Sequence, residues 1–157
     1  MIDYIQLIPL NRGHQEQTLR IPLVPSDPET APYIITNIEG LNPVSASINI
    51  TPYASGDGGV FNSSRKDSRN IVITMKLGKV PSMERNRRVL YNTCETGKRI
   101  AVDVHYKEGS LWYHHFDGYT ESVDSDYFGD QEGIQVSIVC PSPGPNADPN
   151  STLYYVD

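Results

Sequence analysis

The chain has 157 residues, which favours a single domain large enough to bury a sizeable core. Apolar residues make up 38%, charged residues 20%, and the net charge is −6, so the basic stripe of a nucleic-acid binder is not expected. No apolar run of about 18 residues is present for a membrane-spanning helix, and MIDYIQLIPL lacks the basic start and cleavage site of a signal peptide.

In chain order, Ile2–Leu10 is an apolar, β-compatible run closed by the turn Asn11–Gly13. Thr18–Val24 alternates Leu19, Ile21 and Leu23 on one face, with Pro22 marking an edge or a bend. Pro25–Pro32 is a breaker-rich connector, and Tyr33–Ile38 a further apolar strand. Val44, Ala46, Ile48 and Ile50 alternate with Ser45, Ser47 and Asn49, which predicts a half-buried strand.

Tyr53–Leu77 is the stretch around which the rest is organised. Gly56, Asp57, Gly58 and Gly59 form a breaker cluster, and glycine reaches positive φ without steric penalty. A polar segment follows, Asn62–Asn70, carrying Arg65, Lys66 and Arg69, with Phe61 as its large apolar residue. Then Ile71, Ile73, Met75 and Leu77 alternate with Val72, Thr74 and Lys76, a strand with one buried face. A long loop pinned to a core strand reads as an arm that reaches a neighbour, or as a solvated hairpin loop.

Pro81 and Ser82 predict a helix start, with the Ser82 hydroxyl free to accept an orphan N–H. Met83, Leu90 and Cys94 share one helical face, Arg85, Arg87 and Arg88 lie mostly around the other, and Gly97 is the stop. Ile100, Val102, Val104 and Tyr106 alternate as a strand. Lys107–Ser110 turns the chain into the aromatic run Leu111–Tyr119, where Gly118 suggests a bulge or a bend and Thr120–Asp126 a continuation. After the turn Asp130–Gly133, Ile134, Val136, Ile138 and Cys140 end the sheet. Residues 1–141 are thus expected as one mainly β (β-dominated α+β) domain, a barrel or sandwich with one short helix and a long glycine-rich loop. Residues 142–157, rich in Pro and Gly at first, read as a C-terminal linker or tail.

No catalytic constellation emerges, and no cofactor or metal is expected. His114 and His115 point to opposite faces of a strand. His105 and one of them, with Asp117, give only a weak metal hint, since zinc needs three or four converging ligands. G-x-S-x-G is absent, the Gly56–Gly59 cluster lacks the ending of a phosphate loop, and Asp124, Asp126, Asp130 and Glu132 read as a solvated turn. Cys94 and Cys140 form no CxxC and are expected as buried free thiols. The N-x-S/T matches at Asn49, Asn62 and Asn150 read as chance. Trp112, Tyr113, Phe116 and Tyr119 are candidates for a sugar-binding face or, more simply, for core and cross-strand packing.

Five stretches in this order carry a resemblance to a known family. They are Tyr33–Leu41 (YIITNIEGL), Asp57, Gly58 and Gly59 through Ser64, Arg69–Leu77 (RNIVITMKL), Arg88–Lys98 (RVLYNTCETGK) and Ile134–Pro143 (IQVSIVCPSP). Together they resemble the N-terminal domain of phage distal tail proteins, the baseplate hub component of long-tailed phages. The resemblance implies a split β-barrel flanked by a helix, and a non-enzymatic structural protein of the virion, assembled in the cytoplasm of the bacterial host. It implies a homo-oligomeric ring of six copies linking the tail tube protein to the tail-tip hub and tape-measure proteins, with a bore through which DNA passes unbound. The long loop then packs on the neighbouring subunit, with Tyr53, Asp57, Val60, Phe61, Arg65 and Arg69 as candidate interface residues. Many relatives carry a second, carbohydrate-binding or adaptor domain after the last strand; here only Gly144–Asp157 remains, so that domain is missing or lies outside this sequence, and glycan binding is not carried over. A tail tube protein of related barrel fold and a carbohydrate-binding β-sandwich module are the alternatives. A tube protein stacks in many rings and a hub ring occupies one level, whereas a glycan module binds sugar as a monomer.

Overall fold

A computed structural model describes residues 1–10, 18–42, 44–107, 113–128 and 132–141. Their elements are β1 (Ile2–Pro9), β2 (Leu19–Pro22), β3 (Tyr33–Glu39), β4 (Ala46–Pro52), β5 (Gly59–Lys66), β6 (Arg69–Leu77), α1 (Met83–Thr93), β7 (Arg99–Tyr106), β8 (Tyr113–Ser125) and β9 (Gly133–Cys140). Seven strands form one antiparallel sheet in the order β2-β1-β7-β8-β9-β6-β3, and β4 and β5 form a separate two-stranded ribbon. The fold is mainly β with one helix. The large sheet curls into a half-barrel: its edge strands β2 and β3 come alongside each other yet share no ladder. The turns expected at Asn11–Gly13 and Lys107–Ser110, the tail 142–157, Trp112 and Asp130 lie wholly or partly outside the described residues.

The alternating strands set the interior. Ile71, Ile73 and Met75 on β6, Ile100, Val102 and Val104 on β7, and Ile134, Val136 and Ile138 on β9 are all buried in one cluster. Their registers agree, with Ile71 opposite Ile138 and Met75 opposite Ile134, because a one-residue slip would turn every one of them to water. The helix closes the concave side. Its Leu90 and the capping Cys94 join the core, and it touches both β1 and β6, which lie on opposite sides of the curl. Ser82 accepts from Arg85 N–H at 3.1 Å, the expected N-cap. Cys94 and Cys140 are buried free thiols, and burial pushes Cys140 up to about 11.

The structure revises several expectations. Arg87 does not lie on the outer face of the helix. It is 2% exposed, donates to Ser125 Oγ at 2.9 Å and Asp126 O at 3.2 Å, pairs with Glu84 and Glu132, and lies over the Tyr127 ring. Glu132 is therefore a buried partner of that guanidinium rather than part of a solvated turn, since a buried cation requires a counter-charge. The bulge in β8 falls between Thr120 and Ser122, not at Gly118. Gly118 instead lets β9 approach, because a Cβ there would lie 2.5 Å from Val139 O.

Candidate functional site

The ribbon β4–β5 is where the structure departs furthest from the sequence reading. The segment Asn62–Asn70 is not a loop: β5 runs to Lys66 and pairs with β4 from Ala46↔Lys66 to Pro52↔Gly59. An exposed polar strand carries no apolar period, which is why its periodicity was silent. Gly56 (φ +91°) and Gly58 (φ +87°) shape the tip, closed by Tyr53 N–H donating to Gly58 O at 3.2 Å. The predicted half-buried strand through Ile48 and Ile50 is exposed along its whole length. Its alternation is real, but among the described residues no element covers the apolar side.

The ribbon is anchored at its root. Arg69, the first residue of β6, is 3% exposed and donates through Nη1 to Gly40 O at 2.5 Å and to Asn42 O at 2.6 Å. Its guanidinium lies 5.0 Å from the Phe116 ring centroid. Thus Arg69 ties the chain entering the ribbon to the chain leaving it. Gly40 permits the crossing: it has φ +88°, and a Cβ there would meet Asn70 O at 1.9 Å. Asp67 N–H donates to Ser45 O at 3.0 Å, and Ser47 Oγ donates to Asp67 Oδ1 at 3.2 Å.

Five of the six candidate residues sit on the arm. Tyr53 and Asp57 are exposed at the tip, and Val60, Phe61 and Arg65 are exposed along β5. Arg69 is placed differently: it is buried in the root, where the Gly40 and Asn42 carbonyls take up its guanidinium. Ile48 and Ile50 belong with the arm, although their alternation reads as core. Two runs of similar length around Ser-Gly-Asp-Gly are a hairpin signal that could have found them.

The other candidates do not converge. His105 faces Tyr113 rather than a histidine, and Tyr4, His105 and Tyr113 stack face to face with centroids 4.3 and 4.9 Å apart. Arg20 caps that stack, 3.7 Å above the Tyr4 ring. His115 Nδ1 lies 2.5 Å from Asp103 Oδ1, and Asp117 engages Arg99. His114 bonds the Tyr106 hydroxyl at 3.0 Å. Burial holds His105 and His114 below the usual imidazole range, with Arg20 and Arg69 respectively adding to it and Asp103 and Asp3 opposing it at His105. Among the described residues, no three His, Cys, Asp or Glu side chains are grouped to hold a metal. The aromatic set is also split: Phe116 is core, Tyr113 spends a face on His105, and Tyr119 stands exposed on the outer side. A flat sugar platform needs ring faces that are open and aligned, which the described members Tyr113, Phe116 and Tyr119 do not provide.

What the geometry defines is a helix-plugged half-barrel with a rooted ribbon arm that stays exposed among the described residues. The fold has a counterpart among solved structures. The chain is similar to the Dit protein (gp 19.1) of phage SPP1, described as a paradigm of hub adsorption apparatus in phages infecting Gram-positive bacteria. The TM-score is 0.53 at 14% identity, over 71% of this chain and 45% of that one, so the match spans less than half of the Dit chain. No family model and no curated protein matches the sequence.

Proposed function

We propose that this chain is a structural, non-enzymatic component of a phage tail. Six copies close into a ring that joins the tail tube to the tail-tip hub and leaves a bore for DNA. Residues 1–141 form the ring, and residues 142–157 serve as a linker or tail. The observation that carries the reading is the arm: a two-stranded ribbon exposed on both faces, on a fold similar to a phage hub protein. Isolated ribbons are marginal in water, so an arm of this kind calls for a surface to lie on. In a cyclic ring each subunit lends one contact to the next, and one arm per copy closes the circle. The net charge of −6 suits a bore that repels DNA rather than binding it.

The test is to replace Ser47–Arg65 by a short Gly-Ser turn and compare masses by light scattering. The intact chain is expected at six times 17.5 kDa and the shortened one as a folded monomer. A shortened chain that still assembles removes the arm from the mechanism.

A further inference from the structure

The two faces of the arm differ, and the difference is made by a single residue. Asn49 pairs with Ser63, but Ile50 then pairs with Phe61, so Asn62 is left over as a β-bulge. In an unbulged ladder Ile50 would face Asn62, and Phe61 would stand beside Thr51 on the opposite side. The bulge instead brings Phe61 onto the face of Ala46, Ile48 and Ile50. The Asn62 side-chain amide fixes it, donating to Thr51 Oγ1 at 2.6 Å. Ser47, Asn49, Thr51, Ser63 and Arg65, with Val60, are left on the other face. Ile48, Ile50 (54%) and Phe61 (61%) are exposed together, a clustering of large apolar side chains that marks an interaction surface.

We infer that the arm docks on the body of a second copy of this chain through the Ile48–Ile50–Phe61 face alone, with the Asn62 bulge assembling that face. The inference rests on the ring reading in taking a second copy as the partner. Charge favours that partner. Lys66, opposite Ala46, puts a positive charge on that face, and Ala46–Lys66 as a whole is net +1 (Asp57 against Arg65 and Lys66), which leaves −7 on the remainder of the chain. An arm is therefore attracted to another copy's body, whereas bodies alone repel and an arm meeting an arm finds no complement.

The experiment compares single lysines on the two faces. Ile50→Lys and Phe61→Lys are expected to lose the assembled species and run at 17.5 kDa, while Asn49→Lys and Ser63→Lys assemble as the parent does. The exchange Val60→Phe with Phe61→Val keeps composition and charge but moves the ring to the polar face. It is expected to raise the concentration needed for assembly by about tenfold or more. Thermal melts of all five variants should match the parent monomer, since both arm strands are exposed among the described residues. If polar-face lysines disrupt equally, or apolar-face lysines still assemble, the face assignment is wrong; a monomeric arm-less chain would still leave the ring reading standing. Mixing arm-less with full-length protein separates the contacts. An arm-to-body contact yields a mixed complex, and its absence would mean that arm meets arm and overturn the inference. A parent chain that stays monomeric at every concentration overturns both.

Discussion

Strands β4 and β6 carry the same local pattern and meet opposite fates. Ile48 and Ile50 alternate with Ser47, Asn49 and Thr51, as Ile71, Ile73 and Met75 alternate with Val72, Thr74 and Lys76. Yet β6 is buried on its apolar face between β3 and β9, under the helix, while β4 has one partner strand and, among the described residues, nothing over it. Alternation reports that a strand has an apolar face. It does not report whether that face is covered by the same chain or by another molecule. An amphipathic strand left uncovered is therefore the informative case, because burial has to come from elsewhere.

The sharpest break of this comparison is one substitution made in both places. Val102→Asp puts an unpaired charge into the core and is expected to cost upwards of about 4 kcal/mol. Ile50→Asp, measured in dilute monomeric protein, should change stability by less than about 0.5 kcal/mol. Chemical denaturation of both variants decides it, and similar losses would mean that the arm is packed after all.

The root of the arm gives a smaller effect with a local signature. Arg69→Met removes two charged hydrogen bonds to the Gly40 and Asn42 carbonyls, and is expected to cost about 2–3 kcal/mol. Amide exchange should then quicken across Ala46–Lys66 before it quickens in β6 and β9. Uniform quickening would make Arg69 a general core residue rather than the anchor of the arm.

The smallest effect is a pH dependence confined to the body. His105 and His114 are held below their ordinary range when folded, chiefly by burial. Below about pH 6.5 the unfolded chain therefore binds more protons at these sites than the folded one. The stability is present above that pH and is lost as pH falls toward the folded values. The melting temperature should drop between pH 7.5 and 5, and His105→Gln with His114→Gln should flatten the slope. The arm carries no histidine, so the pH response should be the same with or without it.

Most of the fold was legible where burial and periodicity coincide. The strands around Ile71–Leu77, Ile100–Tyr106 and Ile134–Cys140 follow from a period of two, and the helix from its Ser82 cap and the Met83, Leu90 and Cys94 face. Five arm residues were legible too, through the Gly-Asp-Gly turn and the polar run after it. Arg69 and Arg87 were misread for a common reason. A charged side chain reads as surface, and only long-range geometry supplies the carbonyls of Gly40 and Asn42, or the carboxylate of Glu132, that let it be buried.

The sequence by itself determined which residues alternate, where the chain turns and where the helix begins, because these depend on neighbours a few positions apart. Tertiary structure alone decided which apolar faces are covered and which side of the ribbon carries Phe61. The curl of the sheet covers β6 and leaves β4 open, and one extra residue at Asn62 sets the facing of everything beyond it. Side-chain period is local, but cover and register are agreements between strands distant in the chain.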